Sequence, residues 1–285
     1  TYYLSNDLDC AGTDCQLGGT FDGVLDGCGY TIHDLEGPMF FQMDGAIYDL
    51  SIEDAVSSAR SVLANEVGST GIIENLTLSG EVTGGRHYSG LVAVQFHGTL
   101  SDCRIEGDVD GNAFTGLIAA AMYEGASVSN CIVRGTVTTT VGTYVGGVAG
   151  TAWADVEIAD TQAEVTLEGG SYTGGLVGSI GSGGAIYRSS ATGTVSGSGC
   201  VGGLVGSLDG AIIDESYADV EVTGVSTYVG GLAGRLTGTV TNCYSLGSVA
   251  STRASEGRIL VELSTARGRL HSVCTPGRPT HGDVE

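Results

Sequence analysis

The sequence predicts an all-β chain wound as a right-handed parallel β-helix, a β-solenoid of three-strand coils about 28 residues long. Three observations carry the prediction. A Gly-aliphatic anchor recurs as SGLVAV, TGLIAA, VGGVAG, TGGLVG, VGGLVG and VGGLAG; the glycine before the aliphatic is Gly90, Gly116, Gly147, Gly175, Gly203 and Gly231, at gaps of 26, 31, 28, 28 and 28 residues. Two further rows keep the period: valines between polar residues (Val82, Val109, Val137, Val165, Val195, Val222, Val249) and an aliphatic opening a third segment (Leu100, Val128, Val156, Ile186, Ile212, Val240). No window keeps a helical apolar stripe for three turns, so these short Val-, Ile- and Thr-rich segments between Gly and Ser turns read as strands.

One repeat cannot bury its apolar face alone. Stacked copies can, because each coil hydrogen-bonds to the next at ~4.8 Å and sets like residues over like. Right-handed winding is expected for parallel strands joined by crossovers, and seven or eight coils give a rod of roughly 35–40 Å. Tyr88, Phe114, Tyr144, Tyr172, Cys200 and Tyr228 precede the anchors, and Cys103, Cys131, Thr161, Ser189, Ser216 and Cys243 form a row of small residues. The aromatics read as a packing ladder, with a sugar-stacking strip as the alternative.

The strings YTGGLVGSIGSGGAIYRSSATGTVSGSG and VGGLVGSLDGAIIDESYADVEVTG resemble the GLUG repeat, a family with a Gly-Leu-aliphatic-Gly core. The family occurs in large bacterial and archaeal surface proteins, including regions beside metallopeptidase domains of immunoglobulin-cleaving proteins. The resemblance implies a surface β-helix over residues 51–250, strongest in 136–250, with 51–78 a degenerate coil. At the N-terminus, TYYLSNDLDC, GGTFDGVLDGCGYTIHDL and GAIYDLSI resemble the opening of a pectin-lyase-like β-helix, which implies that residues 1–50 are capping coils covering an open strand edge. Residues 251–285 leave the pattern and hold 5 of the 11 Arg and 2 of the 3 Pro. They read as a disordered, frameshifted or truncated tail, a genuine basic tail being the alternative. Because Thr1 already lies inside a recognisable unit, the chain reads as part of a longer protein whose leader and anchor lie outside it.

Composition narrows the function. The 49 Gly show no three-residue period, which excludes collagen, and 41% apolar residues are enough for a core. A net charge of −22, from 33 acids against 11 Arg and no Lys, makes nucleic acid and anionic lipid poor partners. A Lys-free acidic chain reads as salt-adapted, because concentrated salt shortens the Debye length to about 3 Å and screens carboxylates from one another. No apolar run reaches 18 residues, so no membrane-spanning helix is encoded in this stretch.

Few residues suggest chemistry. Cys10 and Cys15, with Cys28 nearby, are candidates for a local disulfide, whereas Cys103, Cys131 and Cys243 read as buried thiols. Asp108, Asp110 and Asn112 are spaced like the start of a calcium loop but lack its glycine and closing Glu, so the stretch reads as a turn and strand, with a calcium loop as the alternative. Asn75 opens an N-glycosylation sequon. None of the five His begins an H-E-x-x-H, so metallopeptidase chemistry is not expected, and no cofactor is implied. Glycosidase or lyase chemistry would need carboxylates, or a carboxylate with a basic residue, converging on neighbouring coils; Asp102, Arg104 and Glu106 are the tight cluster in sequence, read as a solvated salt-bridge face.

The expected function is a non-catalytic extracellular or cell-surface scaffold, an adhesion or stalk module of a halophilic microbe. Its expected partners are surface glycans, other copies or other surface proteins. A carbohydrate-active β-helix enzyme is the alternative. An ice-binding solenoid is a third reading, weakened by acids that interrupt its Thr rows at Glu81, Asp108, Asp110, Glu164 and Glu221.

Overall fold

The structure, a computed structural model, describes residues 1–13, 15–139, 142–226 and 228–252. Among these residues there are strands and turns but no helix, and the strands pair in parallel as a solenoid of about nine turns. One coil shows the plan. An aromatic strand, Tyr172–Gly174, is followed by a middle strand, Val177–Ile180, a short strand, Ala185–Tyr187, and a valine strand, Ser190–Gly197. The three expected segments are therefore all present, with the anchor segment broken in two. The break falls at Gly175-Leu176, where the chain turns so that Leu176 enters the core while the middle strands form a separate nine-stranded sheet.

The valine row stacks as a column. Val82 pairs with Val109 and Val109 with Val137, and at the far end Val195 pairs with Val222 and Val222 with Val249. Each of the first five is at most 1% exposed, and burying a valine contributes ~1.5–3 kcal/mol. Val165 is a correction. Val137 pairs with Leu167, which in turn pairs with Val195, so Leu167 fills the column; Val165 lies two residues earlier, between Gly135 and Gly193. An inward side chain two residues away keeps the same pleat face, which is why the string EVT misleads there.

The anchor row is also corrected. Gly116 pairs with Gly146, and the row continues through Gly174, Gly202 and Gly230. Gly90 and Gly116 are thus equivalent to the first glycine of each later pair, while Gly147, Gly175, Gly203 and Gly231 occupy the place of Leu91 and Leu117: the Leu117 amide donates to the Gly147 carbonyl. The early anchors have not lost a glycine but carry leucine in its place. Facing residues shrink in step, from Ile105 and Val133 to Ala163, Ala191 and Ala218. A Cβ on Gly175 would come within 2.6 Å of the Ala191 Cβ, so the two walls approach closely where Gly meets Ala.

Residues 1–78 wind in register with the rest, which raises the turn count above the expected seven or eight. The strand Ala46–Ser57 runs straight through position 50, so the expected cap and the repeats share one sheet, and the coil over 51–78 pairs Ile52 with Leu78 despite its degenerate sequence. Of the expected tail, Ser251 ends a strand paired with Gly224, and residues 253–285 lie outside the described residues.

One inward row alternates Thr115, Val145, Thr173 and Val201. The Thr115 and Thr173 hydroxyls are buried without a hydrogen-bond partner. An orphaned buried hydroxyl costs about 1–3 kcal/mol and valine has its shape, so Thr115→Val should raise stability by about 1 kcal/mol. Chemical denaturation checks this, and a fall in the midpoint would contradict the packing described.

Candidate functional site

The corner between the short and valine strands holds one residue per coil in the left-handed conformation: Asp49, Asn75, Asp102, Asn130, Asp160, Arg188, Glu215 and Asn242, with φ of 43–57°. Asn and Asp tolerate this conformation because their short side chains bond locally. Acids alternate with donors up the corner. The Asn75 amide donates to Asp49 Oδ1 at 2.5 Å, Asn130 donates to Asp102, and Arg188 grips Asp160 with bonds of 2.8 and 2.7 Å. Arg188 thereby holds the Asp160 carboxyl below its usual range, so whatever this pair contributes is present at neutral pH and lost as pH falls through that lowered pKa. Asn75, the sequon residue, is exposed, and its amide belongs to this ladder.

Behind the corner runs the small-residue row, buried. Ser189 Oγ accepts the Thr161 amide at 3.1 Å and donates to the Tyr187 carbonyl at 2.7 Å; Ser216 and Cys243 repeat the arrangement one and two coils on. In the coils where this row is leucine, the strands Ala46–Ser57 and Ile72–Ser89 pass through the corner unbroken. Where it is Cys, Thr or Ser the ladder is interrupted, and Cys103, Ser189, Ser216 and Cys243 each accept a backbone amide of the preceding coil. Burial pushes the Cys243 thiol up to about 11, and its Cys131 neighbour together with burial holds Cys103 protonated. Cys10 and Cys15 form a disulfide with Cα atoms 5.8 Å apart.

On the outer face of the valine strands, Arg104 pairs with Glu106 at 3.0 Å and Arg134 with Glu164 at 3.0 Å. Asp102 precedes that strand and faces the corner ladder, so the Asp102, Arg104 and Glu106 group is split between two surfaces. Asp108 and Asp110 lie within the extended strand Arg104–Gly116, and Asp108 Oδ1 accepts the Thr136 amide at 3.0 Å. Successive outward residues of a strand stand about 7 Å apart. Asp108 and Asp110 therefore stand apart along one strand, with Asn112 inside a register shift, and the alternative of a calcium loop does not fit this layout.

The aromatic strands carry a ladder of rings: Tyr88, Phe114, Tyr144 and Tyr172 stack at 4.7, 4.7 and 4.8 Å with interplanar angles of 6–12°. Each inner ring has both faces covered by its neighbours and offers solvent only an edge. Sugar stacking needs an open face, so the geometry matches a packing ladder.

The concave bend between aromatic and middle strands differs along the rod. Its floor is one row, Phe41, Asn65, Val94, Ala120, Gly150, Gly178, Gly206 and Gly234, fixed by the pairings that flank it. A Cβ on Gly178 would lie 2.6 Å from the Val145 amide nitrogen, so over the glycines the aromatic strand closes onto the middle strand. Over the first three residues of the row, side chains hold the bend open. A cavity of about 420 Å³ results, spanning three coils and lined by Phe41, Arg60, Asn65, Glu66, Arg86, Val94 and Gln95, among others. That volume falls in the range of about 300–1,000 Å³ typical of small-molecule sites.

Comparison with known proteins now bears on these rows. The GLUG motif matches residues 197–223 and 225–250. Residues 197–250 carry two GLUG repeats. In the GLUG repeat at Gly202-Gly203-Leu204-Val205-Gly206, Gly202 and Gly203 allow close approach of neighbouring walls, Leu204 fills the core, and Gly206 closes the bend. A solved structure of "a putative immunoglobulin A1 protease from Bacteroides ovatus" is similar at 20% identity over 95% of this chain and 74% of that chain, with a TM-score of 0.42. No curated protein matches.

The sequence rows did not single out the cavity residues. Their signal was present: SVLANEV aligns with GLVAVQF, and long polar residues stand where the coils from Ala120 to Ser207 have Gly, Ala, Thr and Ser.

Proposed function

We propose that the chain is a non-catalytic extracellular or cell-surface repeat scaffold, an adhesion or stalk module of a salt-adapted microbe. The observation that carries this reading is that the coil rows are spent on their neighbours above and below. Rings stack on rings, corner amides bond to corner acids, and buried Ser and Cys satisfy amides of adjacent coils. Such a rod holds its shape through contacts repeated in every coil. The Cys10–Cys15 bridge supports an oxidising compartment, and a surface rich in acids and free of Lys supports concentrated salt. Polysaccharides incubated with the chain in about 3 M salt should release neither reducing ends nor unsaturated products, while immobilised glycans or copies of the chain should retain it. Turnover of a polysaccharide sinks the non-catalytic reading. Circular dichroism that is unchanged on dilution to low salt removes the halophilic part.

The second reading, a carbohydrate-active enzyme, is favoured by one observation. The open bend gathers a carboxylate, Glu66, with Arg60 and Arg86 across neighbouring coils. Against it, a second cavity of about 560 Å³ has its two acids tied down, Asp26 accepting the Cys28 amide and Asp49 the Asn75 amide. If the enzyme reading holds, Glu66→Gln abolishes turnover and leaves the β signal intact.

A further inference from the structure

The open bend has an unusual electrostatic character for this chain. Of the six arginines among the described residues, Arg104, Arg134 and Arg188 pair with acids, whereas Arg60, Arg86 and Arg235 have no carboxylate of a described residue within 4.0 Å. Two of these three line one cavity. In a molecule with 33 acids against 11 basic residues, guanidinium groups left without an internal acid are positioned for an external one. Glu66 shares the cavity, yet lies beyond 4.0 Å of both. Among the described residues the Asn65, Glu66 and Gln95 side chains have no hydrogen-bond partner, so they too remain available to a ligand.

Apolar surface completes the site. Phe41 is 64% exposed and stacks on no ring among the described residues, in contrast to the covered faces of the aromatic ladder. Val94, two coils along the same row with Asn65 between, is buried and lines the same cavity. An open ring face next to uncommitted amides and a carboxylate suits a pyranose, which presents an apolar face of C–H groups and a rim of hydroxyls. Guanidinium groups recognise carboxylate by charge-assisted, often bidentate hydrogen bonds. A polyanion would bring further carboxylates into contact with acids at the site such as Glu66, so the favoured ligand carries its charge at one sugar.

We propose that the bend formed by Phe41, Arg60, Asn65, Glu66, Arg86 and Gln95 binds a saccharide bearing a single carboxylate, such as an acidic sugar at the end of an otherwise neutral glycan. Arg60 and Arg86 take the carboxylate, Phe41 packs on the sugar ring, and Asn65, Glu66 and Gln95 take hydroxyls. The inference rests on the adhesion reading only for its biological meaning; the site itself is independent of whether the rod is a scaffold or an enzyme.

Calorimetry with the full chain, at a salt concentration where its β signal is intact, tests the proposal. The probes are a glucuronosyl-glucose disaccharide, the neutral disaccharide cellobiose, acetate, and a long polyuronate. The acidic disaccharide should bind at least about tenfold more tightly than cellobiose, acetate or the polyuronate per site. Arg60→Gln with Arg86→Gln should weaken it by at least about tenfold, Phe41→Ala should weaken it severalfold, and Arg235→Gln, the unpaired arginine outside the bend, should leave it unchanged. Phe41, Arg60 and Arg86 are exposed and Arg235 is half-buried, so the β signal should survive each change. Absence of binding, equal binding of cellobiose or acetate, or indifference to the double arginine change overturns the proposal while leaving a spacer rod possible. Cleavage of the disaccharide by a chain that binds it through these arginines overturns the non-catalytic reading and leaves the site standing.

Discussion

Gly135→Ala should lower stability by about 3 kcal/mol, the largest single effect expected from so small a change. Gly135 has φ of 144°, which L side chains rarely adopt, and a Cβ there would fall on the carbonyl oxygen of Gly107 in the coil beneath. Strain in φ costs about 1–3 kcal/mol and overpacking a similar amount, and backbone cannot yield as the end of a flexible side chain can. The row itself is not closed to side chains, since Val165 sits in it one coil above with an ordinary φ and is buried. What decides the outcome is the local path of the chain. Because each coil leans mainly on its neighbours, the loss should appear first in hydrogen exchange over residues 104–139. An Ala variant that melts with the parent would contradict the pairing of Gly107 with Gly135.

Ser189→Val should cost about 3 kcal/mol, and Ser189→Cys no more than about 0.5 kcal/mol. Valine leaves the Thr161 amide without its acceptor and removes one of the two donors to the Tyr187 carbonyl, which keeps the Asp160 amide, at a place that is 1% exposed. It also adds a methyl group to a closed corner. Cysteine fits because Cys103, Cys131 and Cys243 already fill this row, with Cys243 Sγ accepting the Ser216 amide at 3.4 Å. Urea denaturation of the two variants side by side separates the roles of hydrogen bonding and volume. If Val and Cys prove equally tolerated, the side chain is not what closes the ladder at the bend.

How far the molecule was legible follows from what repeats. Stacking makes a side chain meet its own counterpart, so any residue under packing constraint recurs at the period; Val195, Val222 and Val249, the Tyr88 to Tyr172 ladder and the Cys103 to Cys243 row could all be read that way. Register could not. Gly147 and Val165 were assigned by the look of a string, and an offset of one residue in the anchor or two in the valine strand preserves the string while moving the partner. The open bend was hidden for the opposite reason. Arg60, Glu66 and Arg86 lie where the repeat fades, and a method that follows regularity passes over the coil where residues are freed from it. That coil, 51–78, drew notice only as a poor match, and the mismatch at SVLANEV is what keeps the bend from closing.

The closed bend over Gly150, Gly178, Gly206 and Gly234 also bears on how such proteins change over time. Each of these glycines shuts a potential recess in its own coil, and the recess near Phe41 exists because three successive coils have something larger there. Duplication of a coil followed by exchange of that one glycine, with compensating slack in the strand opposite, would create a fresh recess without altering the core. A lineage could therefore acquire, relocate or erase ligand specificity one winding at a time, with the rest of the rod left as it was.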